Sequence, residues 1–255
     1  MLIAAAVCPH PPLLIPEATG DPGAIGDPEA AGEPGAGGEP GAGGAELGRL
    51  RAACHQAVAA LLASRPDLVA VVGGAPKTVR YPPEVPGRLH DYGIPFTTGS
   101  GHGPPWLPLS LTVGKWLLAS QRVHGASSAA WWGIDPDAPP AQCLRLGEKL
   151  AGLAPRVALL AMGDGPARRA RAAPGAADPE ADRYDEQVAG ALAAADPAAL
   201  AALDPRHDKP LEIAGRAAWQ VLAGAAGRDA FAAELRYRGA PFEVSYVVAS
   251  WRRAH

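Results

Sequence analysis

The chain has 255 residues, with 23 basic and 26 acidic side chains and a formal net charge of −3 at pH 7. That balance supplies no positive field for nucleic acid or anionic lipid, and no apolar run reaches the length of a membrane span. Cys8, Cys54 and Cys143 are an odd number without metal-type spacing, so they read as reduced thiols of a cytoplasmic protein, and the start lacks the basic segment of a secretion signal.

Leu2 to Cys8 is a short run of small and branched apolar residues that reads as a buried strand. Pro9, Pro11 and Pro12 end it, because proline cannot donate to a ladder, and they fix His10 just past the strand's carboxyl end. Residues 18–45 are of another composition: Gly32-Glu33-Pro34-Gly35-Ala36-Gly37 repeats as Gly38-Glu39-Pro40-Gly41-Ala42-Gly43. Such a stretch has little to bury against its ordering entropy, which predicts a disordered, dispensable insertion. No Lys-Ser/Thr follows its glycines, so it is not a phosphate loop.

Beyond it, Leu47, Leu50, Cys54, Val58, Leu61 and Leu62 share one face of a helix. Asp67 to Val72 reads as a second strand ending at Gly73-Gly74-Ala75-Pro76, and Leu107 to Val113 as a third, with a helical segment after it. Ser127 to Trp132 follows as a fourth strand, with one Trp131-Trp132 ring in the core, then a helix over 141–153. Arg156 to Met162 is a fifth strand, ending at Gly163-Asp164-Gly165. Two helices follow, one through Tyr184, Val188 and Leu192, the other through Leu211, Ala214, Ala218 and Leu222. The chain closes on a strand pair, 233–237 and 244–250. Strands separated by helices predict one α/β domain over 1–255: a central, mainly parallel or mixed sheet with helices on both faces and a C-terminal strand pair.

In such sheets ligands collect at the carboxyl ends of the strands. His10 and Asp164 stand there, His102 lies between glycines ahead of the third run, and Glu212 falls on the last predicted helix. Two imidazoles and a carboxylate facing one cavity are the donor set of non-haem iron(II). Taken singly, His102 reads as a loop residue, Asp164 as a turn residue and Glu212 as a solvated helix position. Arg168, Arg169 and Arg171 read equally as an anion-binding group or a solvated turn. Cys54-His55 diverge on their helix, and His207 reads as a loop residue.

Taken in order, Cys8-Pro9-His10-Pro11-Pro12, His102-Gly103 with Trp106-Leu107-Pro108-Leu109, Met162-Gly163-Asp164 and the closing 241–251 segment resemble the class III extradiol ring-cleaving dioxygenases of the LigB-like superfamily. The resemblance implies a central sheet with flanking helices and an iron(II) that binds a catechol through both hydroxyls before oxygen opens the ring. It places His10 and Glu212 as metal ligands and His102 and Asp164 among the catalytic residues. Two positions depart from the pattern. Gly73-Gly74-Ala75-Pro76 stands where the family has a second iron-binding histidine, and Ala167 stands where it has the acid/base histidine. The loss of a metal ligand and of a positioned acid/base, the latter worth about 10²–10⁴-fold in rate, predicts a cleft that holds iron(II) weakly or not at all. The alternatives are a divergent dioxygenase completed by His102 or Asp164, a metal-free protein binding a small aromatic or acidic molecule, and a non-catalytic partner in a larger assembly. A homo-oligomer is compatible with each.

Overall fold

Four strands with near-continuous apolar sequence make the centre of the sheet: β1 (Leu2–Cys8), β2 (Leu68–Gly74), β6 (Ser128–Ile134) and β7 (Val157–Met162). In the computed structural model, which describes residues 1–19, 42–99, 101, 103–121, 128–167 and 178–254, they run parallel in the order β6-β2-β7-β1. A strand covered on both faces needs apolar residues at every position rather than alternate ones. In β7, Val157, Leu159 and Ala161 enter one core cluster while Ala158, Leu160 and Met162 enter the other.

Antiparallel strands close both sides. β3 (Val79–Tyr81) pairs with β6, while β9 (Tyr246–Arg253) pairs with β1 and carries β8 (Phe231–Gly239) on its outer edge. The seven-stranded order is β3-β6-β2-β7-β1-β9-β8, and β4 (Gly87–Arg88) pairs with β5 (Thr97–Thr98) in a separate ribbon. This is the α/β sheet with a C-terminal strand pair that the sequence predicts.

One face is covered by α1 (Ala42–Ala63) and α2 (Leu109–Ala119). The other carries α3 (Pro140–Ala151), α4 (Pro179–Ala193) and α6 (Arg216–Ala226), with the short α5 (Pro197–Ala201) beside α6. The α3–α6 crossing is close enough to require glycine. A Cβ built on Gly147 would strike the Val221 carbonyl, and one on Gly224 would strike the Leu144 carbonyl. Trp131 and Trp132, side by side in β6, are both buried, on opposite faces, rather than with one ring in the core, because the sheet is covered on both sides. Among the described residues no helix is long and apolar enough to cross a membrane.

Three further sequence expectations are corrected. The run 107–113 is not a strand: Pro108, extended at φ −62° and ψ 162°, sits at the N-cap and α2 begins at Leu109. The last helix does not begin near Leu211, and Glu212 is not on it. Glu212 lies in the turn before α6, at φ 51°, and Gly215 takes the N-cap. The helix after the Gly/Pro-rich stretch begins at Ala42, inside the span 18–45 expected to be an insertion, and a short 3₁₀ turn covers Pro16–Ala18 at its other end. Residues 20–41, the bulk of that insertion, lie outside the described residues, as do His102, Arg168, Arg169 and Arg171.

Candidate functional site

The parallel strands β1, β7 and β2 are consecutive in the sheet, so their carboxyl ends deliver Pro9-His10, Gly163-Asp164 and Gly74-Ala75 to one edge. Side chains alternate along each strand. The series Ala158, Leu160, Met162 puts Asp164 on the α1/α2 face, and Val69, Val71 and Gly73 put Ala75 there too. The Asp164 charge is felt on that side: burial pushes the Cys54 thiol of α1 well up, the neighbouring Cys8 adds to it, and Asp164 adds further.

His10 and Asp164 meet directly. The His10 backbone N–H donates to Asp164 Oδ1 at 2.7 Å. The ring Nδ1 lies 3.4 Å from the same oxygen but is misaligned for a hydrogen bond and has no other partner. His10 is only 7% exposed, so Asp164 fixes the turn that carries a buried imidazole with an unpaired nitrogen. A buried donor or acceptor left unmade costs about 1–3 kcal/mol, which marks Nδ1 as a group with hydrogen-bonding capacity in reserve.

The backbone around Asp164 is pinned on every side. Gly163 N–H donates to Cys8 O at 3.0 Å, Gly165 N–H to Ser245 O at 2.8 Å, and Asp164 O accepts from Ala214 N–H at 3.2 Å. Gly163 has to be glycine, because a Cβ there would lie 2.5 Å from Gly215 Cα and 3.1 Å from the Trp219 indole nitrogen. Ala167, where an acid/base was sought, pairs with Val244 and donates its N–H to Leu211 O at 2.9 Å.

Of the four residues singled out by sequence, His10 and Asp164 come together. Glu212 is exposed and has no polar contact with either, although its turn is tied to Asp164 through Ala214. His102 lies outside the described residues. Among the described residues no group of three or more His, Cys, Asp and Glu side chains could hold a metal ion. Of the donors that the resemblance implies, the described residues place His10 at this edge beside the Asp164 carboxylate, with Ala75 at the end of β2.

Beyond β2 the edge opens into a cavity of about 440 Å³ bounded by Gly74, Ala75, Trp106, Leu109 and Pro136 and by the β4 side chain Arg88. Ser110 Oγ donates to Gly74 O at 2.8 Å and locks the start of α2 to the end of β2. On the opposite face, buried Arg216 donates to Asp208, to Gln220 Oε1 at 2.8 Å, to Ala138 O at 3.1 Å and to Pro136 O. Gln220 Nε2 in turn donates to Leu203 O at 2.9 Å and Ala201 O at 3.1 Å. This knot joins the loop after β6, which rims the cavity, to the turn that holds Asp164. Sequence reasoning did not single out Arg88, Arg216 or Asp208. The signal for Arg216 was present, since it stands four residues before Gln220 in the otherwise apolar RAAWQVLAGAA.

No family model matches the chain, and no curated protein matches it. Among solved structures it is similar to the crystal structure of the uncharacterized protein JW3007 from Escherichia coli K12, at 15% identity and a TM-score of 0.49, over 97% of this chain and 99% of that one.

Proposed function

We propose that this chain is a class III extradiol-dioxygenase-like protein with an altered strand-edge site: it binds a small aromatic or acidic molecule and lacks the family's efficient iron(II) chemistry. The observation that carries the reading is the His10–Asp164 pair on the ends of β1 and β7, with Ala75 as the third member on β2. One imidazole survives in a preorganised position, while a methyl group occupies the place of the second. His10 then acts as a hydrogen-bonding group toward a ligand hydroxyl, and Asp164 holds its loop. The buried free thiols Cys8, Cys54 and Cys143 support a reducing, cytoplasmic setting.

The test is anaerobic reconstitution of the full chain with iron(II), followed by catechol and protocatechuate in air, watching for the yellow ring-opened product. Turnover stays far below the usual enzymatic range of about 1–10³ per second. Equilibrium dialysis then shows at least one of the two arenes binding the metal-free chain, with His10→Ala weakening it. Turnover within the enzymatic range would overturn the reading and assign His102 to a rearranged metal site. Binding of neither arene would overturn it as well.

A further inference from the structure

Among the described residues, the cavity beside Ala75 carries one cation, Arg88, arranged in a way that its own partner does not satisfy. The guanidinium carbon lies 4.8 Å from the centre of the Trp106 ring, so the indole supports one face of the guanidinium plane. Asp91 receives hydrogen bonds from a single nitrogen: Nη2 lies 3.1 Å from Oδ1 and 3.3 Å from Oδ2. The adjacent Nε is buried and has no partner. A carboxylate matches guanidinium best when two parallel N–H groups each meet one oxygen. Asp91 sits three residues along the chain and reaches the fork from one corner, leaving half of it unused.

Asp91 is also easily displaced. Its side chain is 69% exposed, and an ion pair with so exposed a partner contributes little. Among the described residues the wall around it is mostly apolar, with Trp106, Leu107, Pro76 and Pro136, and the half-exposed Tyr92 also lines it. Apolar walls around one arginine fork suit a planar body bearing a carboxylate.

Resting on the reading of this edge as a small-molecule site, we propose that Arg88 over Trp106 is a carboxylate-binding subsite for a planar organic acid, and that Asp91 occupies the fork until the ligand displaces it. No covalent step is involved. The ligand carboxylate takes the Nε and Nη2 protons as hydrogen bonds, and Asp91 turns out to water.

Benzoate and benzamide, which have the same ring and differ in charge, are titrated calorimetrically into the full chain and into Arg88→Met and Asp91→Asn. Benzoate binds more tightly than benzamide, and Arg88→Met weakens benzoate by about tenfold or more, as expected for hydrogen bonds to a charged group. Asp91→Asn strengthens benzoate because the competing carboxylate is gone; a purely structural Arg88–Asp91 pair would give no gain. Equal binding of benzoate and benzamide, an unchanged Arg88→Met, or weaker benzoate binding by Asp91→Asn would each overturn the subsite. These outcomes are independent of iron and of catechol, so the subsite can fail while the altered dioxygenase-like reading stands, and the reverse.

Discussion

Replacing Arg216 by methionine tests whether the knot behind the sheet holds the rims of the candidate site. Arg216 is 1% exposed and is shared among Asp208, Gln220 and the carbonyls of Pro136 and Ala138. Methionine keeps much of the volume but leaves the Asp208 carboxylate buried without its cation, and breaking a buried pair from one side costs about 3–5 kcal/mol. For a chain of this size that corresponds to a fall of about 6–20 °C in Tm. The loss has a defined pH dependence. Burial already raises the Asp208 pKa despite the Arg216 charge that lowers it, and removing Arg216 raises it further. A carboxyl with a raised folded pKa binds its proton more tightly when folded. Its contribution is therefore fully present below the unfolded pKa and is lost as pH rises through the folded value. The deficit of Arg216→Met should accordingly be smallest near the ordinary carboxyl value of 3.8 and grow toward neutrality. Urea unfolding followed by circular dichroism from acid to neutral pH measures it. The double variant with Asp208→Asn should recover part of the loss, since no charge is then left unpaired. A loss below about 1 kcal/mol, or one that is flat with pH, would refute the reasoning.

Gly147→Ala should lower the urea midpoint, with an overpacking cost of about 1–3 kcal/mol, because its methyl meets the Val221 carbonyl. Asp164→Ala should cost about 1–3 kcal/mol by stranding the His10 N–H, whereas exposed Glu212→Ala should change stability by less than about 0.5 kcal/mol; thermal melts compare the two. Joining Thr19 to Ala42 by a short Gly-Ser bridge should leave the midpoint nearly unchanged, because the repeated Gly-Glu-Pro-Gly-Ala-Gly sequence offers no apolar face and long loops cost little closure entropy.

The parallel core was legible in the sequence because β1, β2, β6 and β7 are short apolar runs cut off by glycine or proline. That His10 and Asp164 share one edge of the sheet followed from strand ends alone, whereas their direct contact did not. The 107–113 run misled because Leu-Pro-Leu-Ser-Leu-Thr-Val alternates like a half-buried strand, yet Pro108 starts a helix there and buries both parities. Glu212 misled because the spacing of Leu211, Ala214 and Ala218 imitates a helical face, while Lys209-Pro210 and the left-handed Glu212 make a turn. Arg88 was invisible for a different reason: it lies on a two-residue strand with no periodicity, and its partner Trp106 comes from 18 positions later in the sequence.

The most direct measurement of the central claim is anaerobic iron(II) affinity, by calorimetry, of the unmodified chain beside Ala75→His. Ala75 faces the same side of the sheet as Asp164, at the end of the strand next to its own, so an imidazole there should complete a site that His10 begins. Even outer-shell changes shift metal affinity about 10–100-fold, so a restored ligand should tighten binding by at least that much. The account predicts weak or no binding by the unmodified chain and a gain of that size for Ala75→His. Tight stoichiometric binding by the unmodified chain, or no gain from the histidine, would contradict it.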